Sequence, residues 1–312
     1  MKKLLLAIIF SSLTISPCFA DEILDLEINE KLSSIGFGKL FAFDPQEQIK
    51  NLFADYEKCG NKHNLNKLKN FYYEKYVNAD GFSYQSYFEL VKQTWEMYPD
   101  ITYSFDVKNI VVNGDYATVQ IYEKATGIAK NSSEYLNDKG QLESTGEYIY
   151  YLKKFGNQWK IISDTTVAEK TFLKYGDAKD IAFDVVAPGM TPAGEEYSIT
   201  FAVEAPKDKL LLGSITNEKI TFPSERPKEV FRKIKTDGML ERIVRANNEG
   251  FNEQAVVSVG ITKTEVNDEK SLKVSVSGVA FLMTRVNVVQ VKFNNLEKNL
   301  DEISDVEEES KL

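Results

Sequence analysis

Histidine occurs once, at His63, and cysteine twice, at Cys18 and Cys59. A Ser-His-Asp triad or a histidine-built zinc site therefore has a single candidate member. It sits in the polar stretch Gly60-Asn61-Lys62-His63-Asn64, where a solvated turn residue is the plainer reading. Paired CxxC, HExxH and a phosphate-cradling glycine loop are all missing, so no metal and no cofactor is expected. Positive charge is also short: 38 Lys and Arg stand against 47 Asp and Glu, a net charge of -9, which argues against nucleic acid or anionic lipid as the main partner. After residue 20 no apolar run approaches the roughly 18 residues of a membrane helix, so no transmembrane span is expected in the mature chain.

The first 20 residues, MKKLLLAIIFSSLTISPCFA, combine two lysines, an apolar stretch and a small-residue end. This is the pattern of a secretory signal peptide cut after Ala20, which implies a periplasmic or secreted product. Cys18 would leave with it, and Cys59 would remain as a lone, inert thiol with no disulfide partner. A mature chain of about 290 residues exceeds what one core usually serves, so two domains are expected.

Residues 21–43 read as a leader segment. Asp44-Pro45-Gln46-Glu47 then starts a helix with a cap, a first-turn proline and a capping-box acid, and Ile49, Leu52, Phe53 and Tyr56 follow at helical spacing. Leu65, Leu68, Phe71 and Tyr72 mark a second helix. Asn78-Ala79-Asp80-Gly81 makes a turn, and a third helix carries Tyr84, Tyr87, Phe88, Val91, Trp95 and Tyr98 up to Pro99. The period then changes to two. Phe105–Val112 and Tyr116–Tyr122 flank Asn113-Gly114, and Glu147–Phe155 and Gln158–Val167 flank Gly156-Asn157, giving two hairpins. Helices followed by antiparallel strands make an α+β layout. From Ala178 onward about seven short strands separated by Pro, Gly and charged turns suggest an all-β, immunoglobulin-like sandwich over residues 178–294, with an acidic, disordered tail at 295–312.

The segments LFADYEKCGNKHNLNKLKNFY, YVNADGF, WEMYPDI, VVNGDYATVQIYE and YIYYLKKFGNQWKIISD occur in an order that resembles the nuclear transport factor 2-like superfamily, which includes SnoaL-like proteins and ketosteroid isomerases. The resemblance covers residues 44–175. It implies a cone in which three helices pack into a curved antiparallel sheet whose open end often holds an apolar pocket. Tyr72, Tyr76, Tyr87, Trp95, Tyr150 and Trp159 would line such a pocket, or simply fill the core. By the same resemblance, Asp80 and Tyr56 match the position of a proton-transferring aspartate and an oxyanion-stabilising tyrosine. Residue by residue, a turn aspartate and a helix tyrosine that completes a buried stripe are the plainer reading.

The expectation is a non-enzymatic exported protein whose cone binds a small apolar ligand or an envelope protein partner, with the sandwich as spacer or adhesion surface. The alternatives are an isomerase- or cyclase-like enzyme working through Asp80 and Tyr56, and an envelope assembly module. A homodimer formed by sheet pairing is a further implication of the resemblance.

Overall fold

The structure, a computed structural model, describes residues 44–133, 136–204, 206, 209–223, 228–235, 238–266 and 272–290. The expected signal peptide, leader segment and acidic tail lie outside the described residues. No helix among the described residues is long and apolar enough to cross a membrane.

Helix α1 spans Pro45–Gly60. The Asp44 carboxylate accepts from the Gln46 N–H at 3.0 Å, Pro45 occupies the first turn, and Ile49, Phe53, Tyr56 and Cys59 form the buried stripe. The second expected helix is shorter than its apolar spacing suggests. Leu65–Leu68 makes one turn, α2, followed by a 3-10 turn at Lys69–Phe71. Tyr72 is then extended, and the Tyr73 N–H donates to the Ile161 carbonyl at 2.9 Å. That backbone bond to the sheet outweighs another helical turn. Helix α3, Tyr84–Met97, starts at the Ser83 cap and buries Tyr87, Phe88, Leu90, Val91 and Trp95.

Four long antiparallel strands follow: β1 Thr102–Asn113, β2 Tyr116–Ser132, β3 Lys139–Phe155 and β4 Gln158–Gly176. Both expected hairpins are present, but β2, β3 and β4 run well past the expected bounds. The second half contains β5 Phe183–Val186, β6 Met190–Pro192, β7 Glu196–Val203, β8 Leu210–Lys219, β9 Arg232–Lys233, β10 Met239–Arg245, β11 Glu253–Val266 and β12 Leu272–Val289. Among the described residues these are eight strands, close to the expected seven.

The strands form one continuous sheet in the order β1-β2-β3-β4-β12-β11-β8-β9, with β6 parallel to β12, and a smaller sheet in the order β10-β7-β5. The join is antiparallel pairing of β4 with β12, from Gly278↔Gly176 to Thr284↔Lys170. Met283 of β12 belongs to the core beneath the helices, with Val279 and Phe281 packed against it. Ala280, Leu282, Val286 and Val288 belong to the core between the two sheets. The two cores therefore lie on opposite faces of one sheet, and β12 serves both.

Candidate functional site

All six aromatic residues predicted to line a pocket are buried, and a chain of phenol hydroxyls centred on Tyr56 and Tyr72 ties three of them together. The Tyr56 hydroxyl lies 3.0 Å from that of Tyr72 and 3.3 Å from that of Tyr150, and Tyr72 lies 3.2 Å from Tyr87. Rings of Tyr72 and Tyr76 meet edge to face at 4.9 Å, and Tyr76 packs on Tyr87 at 5.2 Å. The two indoles lie outside this hydroxyl chain. Trp95 donates to the Tyr103 hydroxyl at 3.0 Å and stacks on His63, whose ring nitrogen Nε2 is 3.0 Å from the Ile101 carbonyl. Trp159 donates to the Gln48 amide oxygen at 3.2 Å. His63 is thus a half-buried packing residue rather than a solvated one. A groove of about 240 Å³ lies outside, lined by Leu65, Lys69, Tyr84, Gln85, Phe88 and Glu89; none of the six predicted pocket residues borders it.

The structure does not join Asp80 to Tyr56. Asp80 sits in a turn held by the Asn78 side chain, which accepts from the N–H groups of Asp80 and Phe82 at 3.1 and 2.9 Å. Its carboxylate faces the second half of the chain. Arg285 grips it with two parallel bonds, Nη2 to Oδ1 at 2.6 Å and Nη1 to Oδ2 at 3.1 Å, and Asn252 adds a third at 2.7 Å. Only 2% of the Asp80 side chain and 1% of the Arg285 side chain are exposed. The reason is plain. A guanidinium buried at the joint between the two halves requires a carboxylate, and the turn aspartate supplies it.

Acid groups that the sequence reading passed over lie in the hollow beneath the helices. Glu123 of β2 and Asp164 and Glu169 of β4 are all buried. Burial pushes Asp164 up to about 7, partly offset by a hydrogen bond from the Tyr76 hydroxyl, and pushes Glu169 up to about 8 against the pull of Arg285. Glu123 is raised well above the usual carboxylate range, first by burial and then by Glu169 and Asp164. Strict alternation of Ala117, Val119, Ile121 and Ala125 already places Glu123 inward once β2 is extended past Tyr122. Asp164 and Glu169 leave no such trace. Two bulges in β4, opposite Tyr151/Leu152 and Glu147/Tyr148, shift the inward phase from Trp159 and Ile161 to Asp164 and Thr166, then to Glu169 and Thr171.

Chemically, this interior offers carboxyls whose burial favours the protonated form beside phenols, with each Asp80 oxygen and the Tyr56 hydroxyl engaged. It can hold and exchange protons; among the described residues no group of three His, Cys, Asp or Glu side chains placed to hold a metal ion occurs.

No protein-family model and no curated protein matches the chain. Among solved structures it is similar to Bd1075 of Bdellovibrio bacteriovorus, at 18% identity over 38% of this chain and TM-score 0.32. The match spans only 39% of that protein's own length. A scytalone dehydratase-like protein of Novosphingobium aromaticivorans matches 40% of this chain and 85% of its own at 16% identity and TM-score 0.34. A type 2 hexachlorocyclohexane dehydrochlorinase, LinA, matches 39% and 82% at 13% and 0.32. Likeness of this order transfers no activity.

Proposed function

We propose that this is a non-enzymatic exported binding protein in which a nuclear transport factor 2-like cone and an immunoglobulin-like sandwich share one sheet and present an outer surface to a protein partner in the envelope. The cone reading is supported by the order of three helical segments followed by four antiparallel strands. The sandwich reading is supported by strand order: β5, β7 and β10 fall where strands A, B and E of an immunoglobulin domain do, and β8, β11 and β12 where C, F and G do. Export is supported by the N-terminal pattern alone.

The observation that carries the non-enzymatic reading is the hydroxyl chain Tyr150–Tyr56–Tyr72–Tyr87, whose rings occupy the space where an apolar guest would lie. The surface offered to a partner is the outward face of β2 and β3, where Tyr116, Tyr122, Tyr151 and Phe155 are exposed and Lys153 lies 5.1 Å above the Tyr116 ring. Native mass spectrometry of the purified protein, combined with titration of an apolar fluorescent probe, tests the reading. The chain mass alone and no saturable uptake are expected. A retained small molecule, or uptake abolished by Tyr72→Trp, overturns it in favour of an internal ligand.

One observation favours an isomerase- or cyclase-like second reading: the buried carboxyl–phenol pair Asp164–Tyr76. It would place the acid-base group at Asp164 rather than Asp80. Isomerisation of a β,γ-unsaturated ketone, followed by absorbance and lost in Asp164→Asn, would establish it.

A further inference from the structure

The acid groups under the helices are arranged in a row that runs across the sheet to the joint between the halves. Glu123 on β2 is in register with Gly146 on β3, and Gly146 with Glu169 on β4. At the usual strand spacing the two glutamates stand about 10 Å apart across a residue without a side chain. Tyr148 fills the gap: a Cβ added at Gly146 would lie 2.5 Å from its hydroxyl oxygen and from ring carbon Cε2. One residue beyond the Thr284↔Lys170 pair, the same register puts Arg285 level with Glu169, and the Thr284 hydroxyl donates to the Glu169 carbonyl at 3.3 Å.

Glu123 Oε2 and Glu169 Oε1 are buried without a hydrogen-bond partner. The contrast with Glu253 is sharp. That equally buried carboxylate receives Tyr197 at 2.8 Å, Asn217 at 3.0 Å and two donors of Asn247 at 2.7 and 2.8 Å. An ionised carboxylate with an orphaned oxygen is expensive in such a place; a protonated one is much less so. The row's nearest cation, Arg285, already has both terminal nitrogens on Asp80 and its Nε on Asn287 at 2.7 Å.

We propose that Glu123 and Glu169, separated by Tyr148, form a proton-binding device that latches the helical half to the sandwich half. With both carboxyls protonated, Arg285 stays on Asp80 and the hollow stays closed. When they ionise, Glu169 competes with Asp80 for Arg285, and the β4–β12 joint loosens. The titratable and charged groups that act on the pair come from several packed elements: Asp80 from the segment between α2 and α3, Tyr87 from α3, Tyr103 from β1, Tyr148 from β3, Asp164 from β4 and Arg285 from β12, with Tyr76 and Tyr150 joined to them through Asp164 and Tyr148. Full ionisation would leave Asp80, Glu123, Asp164 and Glu169 sharing one guanidinium.

The sign follows from linkage. The unfolded chain loses these protons near pH 4, whereas the folded chain keeps that of Glu169 until about pH 8. Stability from the latch is therefore greatest on the acid side and declines as pH rises toward 8 and beyond.

The test is urea unfolding from pH 5.5 to pH 9 for the wild type, Glu123→Gln, Glu169→Gln and the double variant, since glutamine mimics the protonated carboxyl. The wild-type midpoint should fall across this range, and the double variant should lose at least half of that fall. Hydrogen exchange across Lys170–Gly176 and Gly278–Thr284, corrected for intrinsic rates, should rise several-fold from pH 6 to pH 8.5 in the wild type only. Calorimetric proton counting needs no variant, and should find folding at pH 6.5 taking up between two and three protons, Glu123 and Glu169 supplying two of the sites and Asp164 part of the third. A flat wild-type midpoint, a joint whose exchange ignores pH, or no proton uptake overturns the proposal.

Discussion

The Asp80–Arg285 pair shows how one turn residue can carry a whole interface. Asp80 could be placed in a turn from its Asn-Ala-Asp-Gly context, but its partner lies 205 residues away and no local pattern connects them. Removing one partner leaves a buried, uncompensated charge, so Asp80→Ala should lower unfolding free energy by about 3–5 kcal/mol. Replacing both with apolar residues, as in Asp80→Leu/Arg285→Met, should be milder than either single change. Chemical denaturation of Asp80→Leu, Arg285→Met and the double variant checks the non-additivity. At Tyr56 the ring matters more than the hydroxyl. Tyr56→Phe removes bonds to two neutral phenols and should cost about 1–2 kcal/mol, whereas Tyr56→Ala should cost about 3–5 kcal/mol through the cavity it opens. Equal losses for the two would deny the packing role.

At the scale of elements, the helix caps and hairpins were legible because each rests on a local signal: Asp44 with Pro45, Asn113-Gly114 and Gly156-Asn157. The strand lengths were less so. Residues 123–132 and 139–146 are rich in Lys, Thr, Gly and Ser, and take up extended structure because neighbouring strands pair with them. The bulges of β4 were invisible for a similar reason, since an extra residue has no compositional mark when Ile162, Ser163 and Thr165 suit either face. Their consequence is that phase, and with it the acid cluster, depends on residue count. Deleting Ile162 should turn Asp164 outward and abolish cooperative unfolding monitored by circular dichroism. Gly146 is a second element-level constraint. Gly146→Ala drives a methyl into Tyr148 and should lower the thermal midpoint by an amount corresponding to about 1–3 kcal/mol, largely recovered in Gly146→Ala/Tyr148→Ala relative to Tyr148→Ala alone.

For the molecule as a whole, composition foretold enough apolar material for two cores, and two cores exist. Their separation into neighbouring domains was the natural inference from the change of texture near residue 178, yet β4 runs to Gly176 and pairs with β12 along its last turns of chain. The apolar run Val279–Met283 of β12 has no alternation because its two faces pack into different cores. Unfolding should accordingly be a single transition. Indole fluorescence, which samples only Trp95 and Trp159 in the helical half, should coincide with far-ultraviolet circular dichroism, which samples both halves. A fragment ending at Gly176 should fail to reach a stable monomer, because it bares the edge of β4 and leaves Asp80 without Arg285. Size-exclusion chromatography of that fragment provides the check.

The same joint imposes an order of events on the newborn polypeptide. Synthesis proceeds from the amino terminus, so the helices and first four strands emerge long before residue 285. Until β12 arrives, the half-built hollow has neither its guanidinium nor the neighbour that covers β4, and a holding factor or a pause would find its natural target there.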